Sequence, residues 1–342
     1  MKNRIINKIK NLFTHKAIVL MYHRIAEPES DVWEIAVDQD RFEQHLQILQ
    51  KMGNVVPLEQ LADAINAKSL PKNCISIAFD DGYIDNFNAA KPLLEKYGIP
   101  ATFFIASGNV DRENEFFWDE LERLILFSEH LPALFSMIIN EHSIIFDLKD
   151  ESFMTENIRQ KHRSWKACSE KPPTLRAGLF YRIWEQLKCL PNAEQQRHLQ
   201  LVKNWAGSSL PARADYRTMS ISELKQMATN NLFTFGAHTV THPTLANHNA
   251  RFQKKELTKN RRFLQEVTGQ DINLLAYPYG IYNKETLQVA ADLGFKAAFT
   301  TEEKPVELNS SIYTLGRFQV MNLTGTAFTN QLNHWRRAGY DN

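Results

Sequence analysis

Short apolar runs alternate with amphipathic segments along most of this chain, and that alternation restricts it more than any other feature. The runs at 17–22, 74–79, 101–105, 232–237, 273–277 and 297–301 have the length and apolar, β-branched character of buried strands. Between them, apolar residues recur at helical spacing. Phe42, Leu46 and Leu49 mark a helix over 40–52 closed by Gly53, and helices are predicted at 58–67, 86–97 (ending at Gly98), 251–267 (ending at Gly269) and 285–293 (ending at Gly294). Further strands are expected at 55–57 and 317–320. Strand–helix alternation of this kind predicts an α/β core with mostly parallel strands.

The alternation breaks at about 109–219. A helix at 118–126, a hairpin of 135–139 with 143–148, and helices at 175–190 and 194–205 broken by Pro172-Pro173 and Pro191 read as an insertion that caps or flanks the core. The expected organisation is a segment of residues 1–15 followed by a domain over 16–342, interrupted at about 109–219. In residues 1–15, Ile5, Ile6, Ile9, Leu12 and Phe13 follow helical spacing among Lys2, Arg4, Lys8 and Lys10. That pattern suits an amphipathic membrane-surface helix; an ordinary packed helix or a tail is the alternative.

A formal net charge of +1 in 342 residues gives no global field for nucleic acid, so no nucleic-acid partner is expected. Cys74, Cys168 and Cys189 have no metal-site spacing, and so sparse a set fits reduced thiols. No secretory leader or membrane-length apolar run is seen. The expected location is cytoplasmic, with a peripheral position at the inner face of the membrane as the alternative.

Two places carry chemistry. The run at 74–79 stops at Asp80-Asp81-Gly82, which is either an ordinary Asp-Gly turn or a pair of acids at the C-terminal end of a buried strand, where α/β folds place their sites. The run at 232–237 stops at His238-Thr239-Val240-Thr241-His242, two imidazoles able to converge on one ion. Two histidines and a carboxylate suit a zinc site that keeps a position open for water.

Phe79-Asp80-Asp81-Gly82, the His238–His242 motif and Tyr277-Pro278-Tyr279-Gly280 occur in the order used by the polysaccharide deacetylase family, the NodB-homology carbohydrate esterases. Met21-Tyr22-His23-Arg24, 97–104 and Leu293-Gly294-Phe295 extend this resemblance over most of the chain outside 1–15 and the insertion. It implies a distorted (β/α) barrel with a largely helical insertion, and metal-dependent hydrolysis of the N-acetyl group of an amino sugar. Carried over by position, Asp81, His238 and His242 match the metal ligands, Asp80 the general base and Tyr279 the backbone N–H that helps bind the oxyanion. Zinc is the first choice of ion; cobalt, nickel or iron could bind similarly.

Two positions depart from the pattern. Ala276 stands where the family often has an arginine that orients the base; Arg317 and Arg24 are the candidates to replace it, with Arg317 favoured. The general acid is expected at His23, because the Met-Tyr-His arrangement resembles circularly permuted members. Tyr83 and Tyr282 flank the motifs and are candidate substrate contacts. Trp118, Trp165, Trp184 and Trp205 read as core of the insertion or, alternatively, as walls of a sugar groove. The substrate expected is a polymeric or lipid-linked N-acetylated sugar. The rival readings are a catalytically silent carbohydrate-binding protein, or a de-formylase or O-acetyl esterase on the same site.

Overall fold

The computed structural model describes residues 16–139, 141–207 and 211–337; the amphipathic segment 1–15 lies outside them. In chain order the strands are β1 (Lys16–Tyr22), β2 (Arg24–Ile25), β3 (Ala36–Val37), β4 (Cys74–Phe79), β5 (Ala101–Ile105), β6 (Leu134–Ile139), β7 (His142–Asp147), β8 (Phe233–Ala237), β9 (Leu274–Ala276), β10 (Ala297–Phe299), β11 (Val306–Glu307) and β12 (Phe318–Gln319). The main sheet runs β10-β9-β8-β5-β4-β1-β11 and is parallel except at β1/β11. The chain then turns the sheet back on itself. Leu315 bridges Phe299 of β10 in parallel, and three residues later β12 pairs in parallel with β1. The product is a distorted (β/α) barrel.

Every residue of β1, β4 and β5 is buried, as both faces of a covered parallel sheet require. Alternate side chains divide between two cores. Ile75, Ile77 and Phe79 pack with the outer helices, while Cys74 and Ala78 join Ala17, Val19, Phe104, Ala276 and Phe299 on the other face. Leu58, Leu61 and Ile65 of the helix Leu58–Asn66 pack against this second set. Gly236 lies in β8 beside Phe104, and a Cβ there would stand 2.4 Å from the Phe104 ring. Gly236→Ala is therefore expected to cost about 1–3 kcal/mol by overpacking, read as a lower midpoint in urea; an unchanged midpoint would show that the Phe104 ring yields freely.

Several boundaries differ from expectation. The strand at 55–57 is a single bridge, Val55 to Ile75, because Pro57 has no N–H for a ladder and instead opens the helix Leu58–Asn66. The segment 86–97 starts as a π turn, Asn86–Ala90, before the α-helix Lys91–Tyr97, and Phe117–Leu121 likewise runs into a π turn at Glu122–Leu126. Two helices, Glu156–Ser164 and Gly325–Arg337, were not expected. The first buries only Ile158 and His162, too thin a stripe to read as periodicity.

Most of the insertion has a core of its own, from Phe116 to Ala206, which also takes in Val32, Tyr83 and Ala106. Fully buried Arg176 donates to the carbonyls of Ser128, Glu151 and Ser152, tying the stretches at 128 and 151–152 to its own helix. The antiparallel β6/β7 hairpin packs on the helix Leu175–Leu187.

Candidate active site

The interior face of β4 continues past the strand to Asp80, and that of β8 continues past Gly236 to His238. Asp81 would point the other way on a straight strand. Its φ of 70° turns the chain, Gly82 follows at 86°, and the Gly82 N–H donates to the Asp80 carbonyl at 2.8 Å. A side chain at Gly82 would need that same left-handed conformation and would strike Ile105 at 2.8 Å. The strained turn is how two adjacent acids reach one cavity.

The second motif is bent in the same manner, with φ of 66° at Thr239 and 55° at His242. The Thr239 hydroxyl accepts from the His242 N–H at 3.0 Å. Two residues that the sequence reading missed hold this loop from the helix Ala250–Thr268. Glu256 accepts from the Val240 and Thr241 N–H groups, both at 2.9 Å, and Asn260 accepts from the His238 N–H at 3.1 Å and donates to Thr239 and Ile105 carbonyls. A signal existed. Gln253, Glu256, Asn260 and Leu264 share the buried face, so polar residues stand where helical spacing calls for apolar ones.

Asp81, His238 and His242 come together. Asp81 Oδ1 lies 3.4 Å from His238 Nε2 and 3.3 Å from His242 Nε2, and the two imidazole nitrogens are 3.2 Å apart. Donors about 2.1 Å from a tetrahedral ion stand roughly 3.4 Å from one another, so the three atoms form one face of such a site. His238 Nδ1 donates to the Ala276 carbonyl at 2.8 Å, which leaves Nε2 unprotonated toward the triangle. Asp81 Oδ1 is buried without a hydrogen-bond donor among the described residues. These donors fit a divalent ion. Burial alone would raise the Asp81 carboxyl, but the two imidazoles facing it, His238 and His242, and then His23, hold it far below the usual carboxylate range.

Asp80 is kept apart from this set. Arg317, fully buried, grips it with two parallel bonds, Nη1 to Oδ1 at 2.6 Å and Nη2 to Oδ2 at 2.7 Å, and spends Nε on the Thr300 carbonyl. Burial pushes the Asp80 carboxyl up, while the Arg317 charge, then His238, the Arg317 hydrogen bonds and His23 pull it down further than that. Arg317 thus stands in contact with Asp80, and Arg24 does not. Arg24 pairs with Asp85 at 2.9 Å and lies over the Tyr216 ring at 3.9 Å. His23 Nε2 is 4.0 Å from Asp80 Oδ2 on the cavity wall, and its Nδ1 is buried with no partner among the described residues.

These groups open into a cavity of about 330 Å³, within the range of small-molecule sites. Tyr279, at φ 58°, lines it with its ring 4.6 Å from that of His242. Trp118 and Trp184 of the insertion form part of its wall, with Trp33 beside Trp184 at 4.4 Å; Trp165 and Trp205 are instead packed in the insertion core. The structure places the expected substrate contacts Tyr83 and Tyr282 outside the cavity lining, and only fully buried Tyr83 is ruled out as a contact. Tyr83 is fully buried and outside the cavity lining. It accepts from Trp118 Nε1 at 2.9 Å and donates to Asp119 Oδ2 at 2.7 Å, so it anchors the Trp118 wall. Burial pushes the Asp119 carboxyl up to about 8 against the charges of Arg24 and Arg213. Tyr282 bonds Glu302 at 2.8 Å and is likewise outside the lining, while its neighbour Ile281 is in it.

The barrel and the clustered strand-end motifs define a carbohydrate deacetylase fold, and the polysaccharide deacetylase family model matches residues 67–175 and 187–298. The chain belongs to that family. It is 21% identical to YxkH of Bacillus subtilis (strain 168) over 316 residues, 92% of this chain and 75% of that protein. It is 30% identical to the poly-beta-1,6-N-acetyl-D-glucosamine N-deacetylase of Staphylococcus aureus (strain MSSA476) over 125 residues, covering 34% of this chain and 42% of that one. In fold it is similar to the Streptococcus pyogenes deacetylase PplD, solved in complex with acetate, at a TM-score of 0.57 and 20% identity over 93% of this chain and 99% of that one.

Proposed function

We propose that this protein is a metal-dependent hydrolase that removes the acetyl group from an N-acetylated amino sugar. The observation that carries this reading is the separation of duties between adjacent acids. Asp81 joins two histidines in a triangle of donors, while Asp80, one residue earlier, is held out of it by Arg317 and faces the same cavity.

A divalent cation held by Asp81, His238 and His242 would supply Lewis acidity to the acetyl carbonyl and to the attacking water. Asp80 takes the proton from that water, its two oxygens oriented by the guanidinium. The Tyr279 N–H donates to the oxyanion that develops on the carbonyl. His23 gives a proton to the departing amine, and the Trp118 and Trp184 walls limit the entry of bulk water. The acetyl C–N bond breaks, leaving acetate and the free amino sugar.

Metal-stripped protein is expected to release less than about one hundredth of the acetate that zinc-restored protein releases from a panel of N-acetylated sugars, monomeric, lipid-linked and polymeric. His242→Ala should fail to bind one equivalent of zinc by elemental analysis. Release of formate, or of acetate with a freed hydroxyl, would replace the N-deacetylase reading with a de-formylase or an O-acetyl esterase. No release by zinc-loaded protein on any sugar of the panel would favour a carbohydrate-binding role.

A further inference from the structure

Among the described residues, the cavity wall carries one cation that the chemistry above does not use. Lys188 follows the helix Leu175–Leu187 and lines the cavity, with its ammonium 4.0 Å from the centre of the Trp184 ring. Its carbonyl accepts from the Thr244 N–H at 3.4 Å and the Thr244 hydroxyl at 3.2 Å, two residues beyond His242, so the residue is tied to the loop that carries that histidine.

No carboxylate among the described residues is within ion-pair distance of Lys188. Glu185, one turn earlier, pairs with Arg182; Asp80 is neutralised by Arg317; Asp81 is committed to the two histidines. Lys188 is thus a positive charge on the cavity wall with no carboxylate of its own among the described residues, and walls of low polarity focus such a charge more strongly than an open surface does. A neutral amino sugar in the cavity would leave it unanswered. Trp33 and Trp184 line the cavity side by side, and the ammonium beside them is placed for a charged substituent on a sugar held there.

We propose that the cavity takes an N-acetylated sugar bearing an anionic group, phosphate or carboxylate, and that Lys188 pairs with that group. This rests on the deacetylase reading for its sugar and adds the charge. The test is a comparison of wild type, Lys188→Met and Lys188→Arg, with thermal melts confirming that each is folded. Binding is read by tryptophan fluorescence on metal-stripped protein, so that no bound ion attracts the anion. The probes are N-acetylglucosamine, N-acetylglucosamine 1-phosphate and the disaccharide of N-acetylglucosamine with glucuronic acid.

Wild type is expected to bind one of the two anionic sugars at least about tenfold more tightly than the neutral one, a preference that shrinks between about 50 and 500 mM salt. Lys188→Met should lose the preference and keep its affinity for the neutral sugar; Lys188→Arg should retain most of it. Which anionic probe is favoured separates phosphate from carboxylate. Equal affinity for all three sugars, binding of none, or a preference that survives in Lys188→Met would overturn the proposal. Acetate release by the zinc-loaded proteins is read separately: anion-selective binding that depends on Lys188, without release, would sink the deacetylase reading and leave the Lys188 assignment standing.

Discussion

Asp80→Asn is expected to lower acetate release about a thousandfold while zinc is still bound at one equivalent. The amide has nearly the shape of the carboxylate, so the cavity keeps its form. What is lost is the proton acceptor, and a positioned acid or base contributes roughly 10²–10⁴ in rate. The same substitution turns an N–H₂ toward the Arg317 guanidinium, which is fully buried and has no other carboxylate in contact among the described residues. Breaking a buried pair on one side costs about 3–5 kcal/mol. A lower melting temperature should therefore accompany the loss of rate. The two readouts separate the roles: a variant that keeps a tenth of wild-type turnover would show that Asp80 is not the base, and one that loses zinc would show that it belongs to the ion's ligand set.

Removing the other partner should move a pH profile. In Arg317→Gln, burial is left to act on Asp80 with weaker opposition from His238 and His23. The carboxyl then titrates higher, and the acidic limb of the rate profile shifts toward neutral pH. Stability follows with a definite sign. In the wild type the folded carboxyl lies below its unfolded value of about 3.9, so its contribution is present above that pH and is lost as pH falls through the folded value. In the variant, if the folded value rises above about 3.9, the unfolded chain ionises first and stability falls as pH climbs between the two. Urea melts from about pH 4 to pH 8 should show this reversal together with a loss of about 3–5 kcal/mol at neutral pH. The double variant with Asp80→Asn should lose less than the two single losses combined, because both remove the same contact. An acidic limb that stays in place in Arg317→Gln would refute the assignment of Arg317 as the residue that tunes the base.

The parts of this molecule that were legible in its sequence are those whose cause is local. The runs at 74–79 and 101–105 coincide with β4 and β5 because continuous apolar, β-branched stretches have few other uses. Ser220 and Glu223 announce a capping box, and both bonds of it are formed. That the acid pair and the histidine pair meet could be anticipated because each follows a strand, and parallel strands deliver their ends to one side; that Asp81, not Asp80, joins the histidines was implied by the family resemblance. Where long-range packing decides, sequence alone was weaker. Arg24 and Arg317 both sit near strand ends, and only the return of the chain beside β1 brings Arg317 to Asp80. Tyr83 adjoins the acidic motif, yet the turn at Gly82 sends its ring into the insertion core. The cavity walls join Trp33 to Trp184 across 150 positions of chain, a contact no local pattern announces.

The groups assigned to the reaction, His23, Asp80, Asp81, His238, His242, Tyr279 and Arg317, all sit on the barrel or on loops at its strand ends. Trp118, Cys168, Trp184 and Lys188, which complete the wall, come from a stretch that carries most of its own core. On the proposed reading the reacting groups lie on the barrel, while much of the recognition wall, apart from Trp33 and its neighbours, lies on a different segment of the gene. Recombination with breakpoints near codons 109 and 219 would exchange one without rewriting the other. If the proposed activity holds, drift in that stretch would retarget it while selection holds the barrel constant.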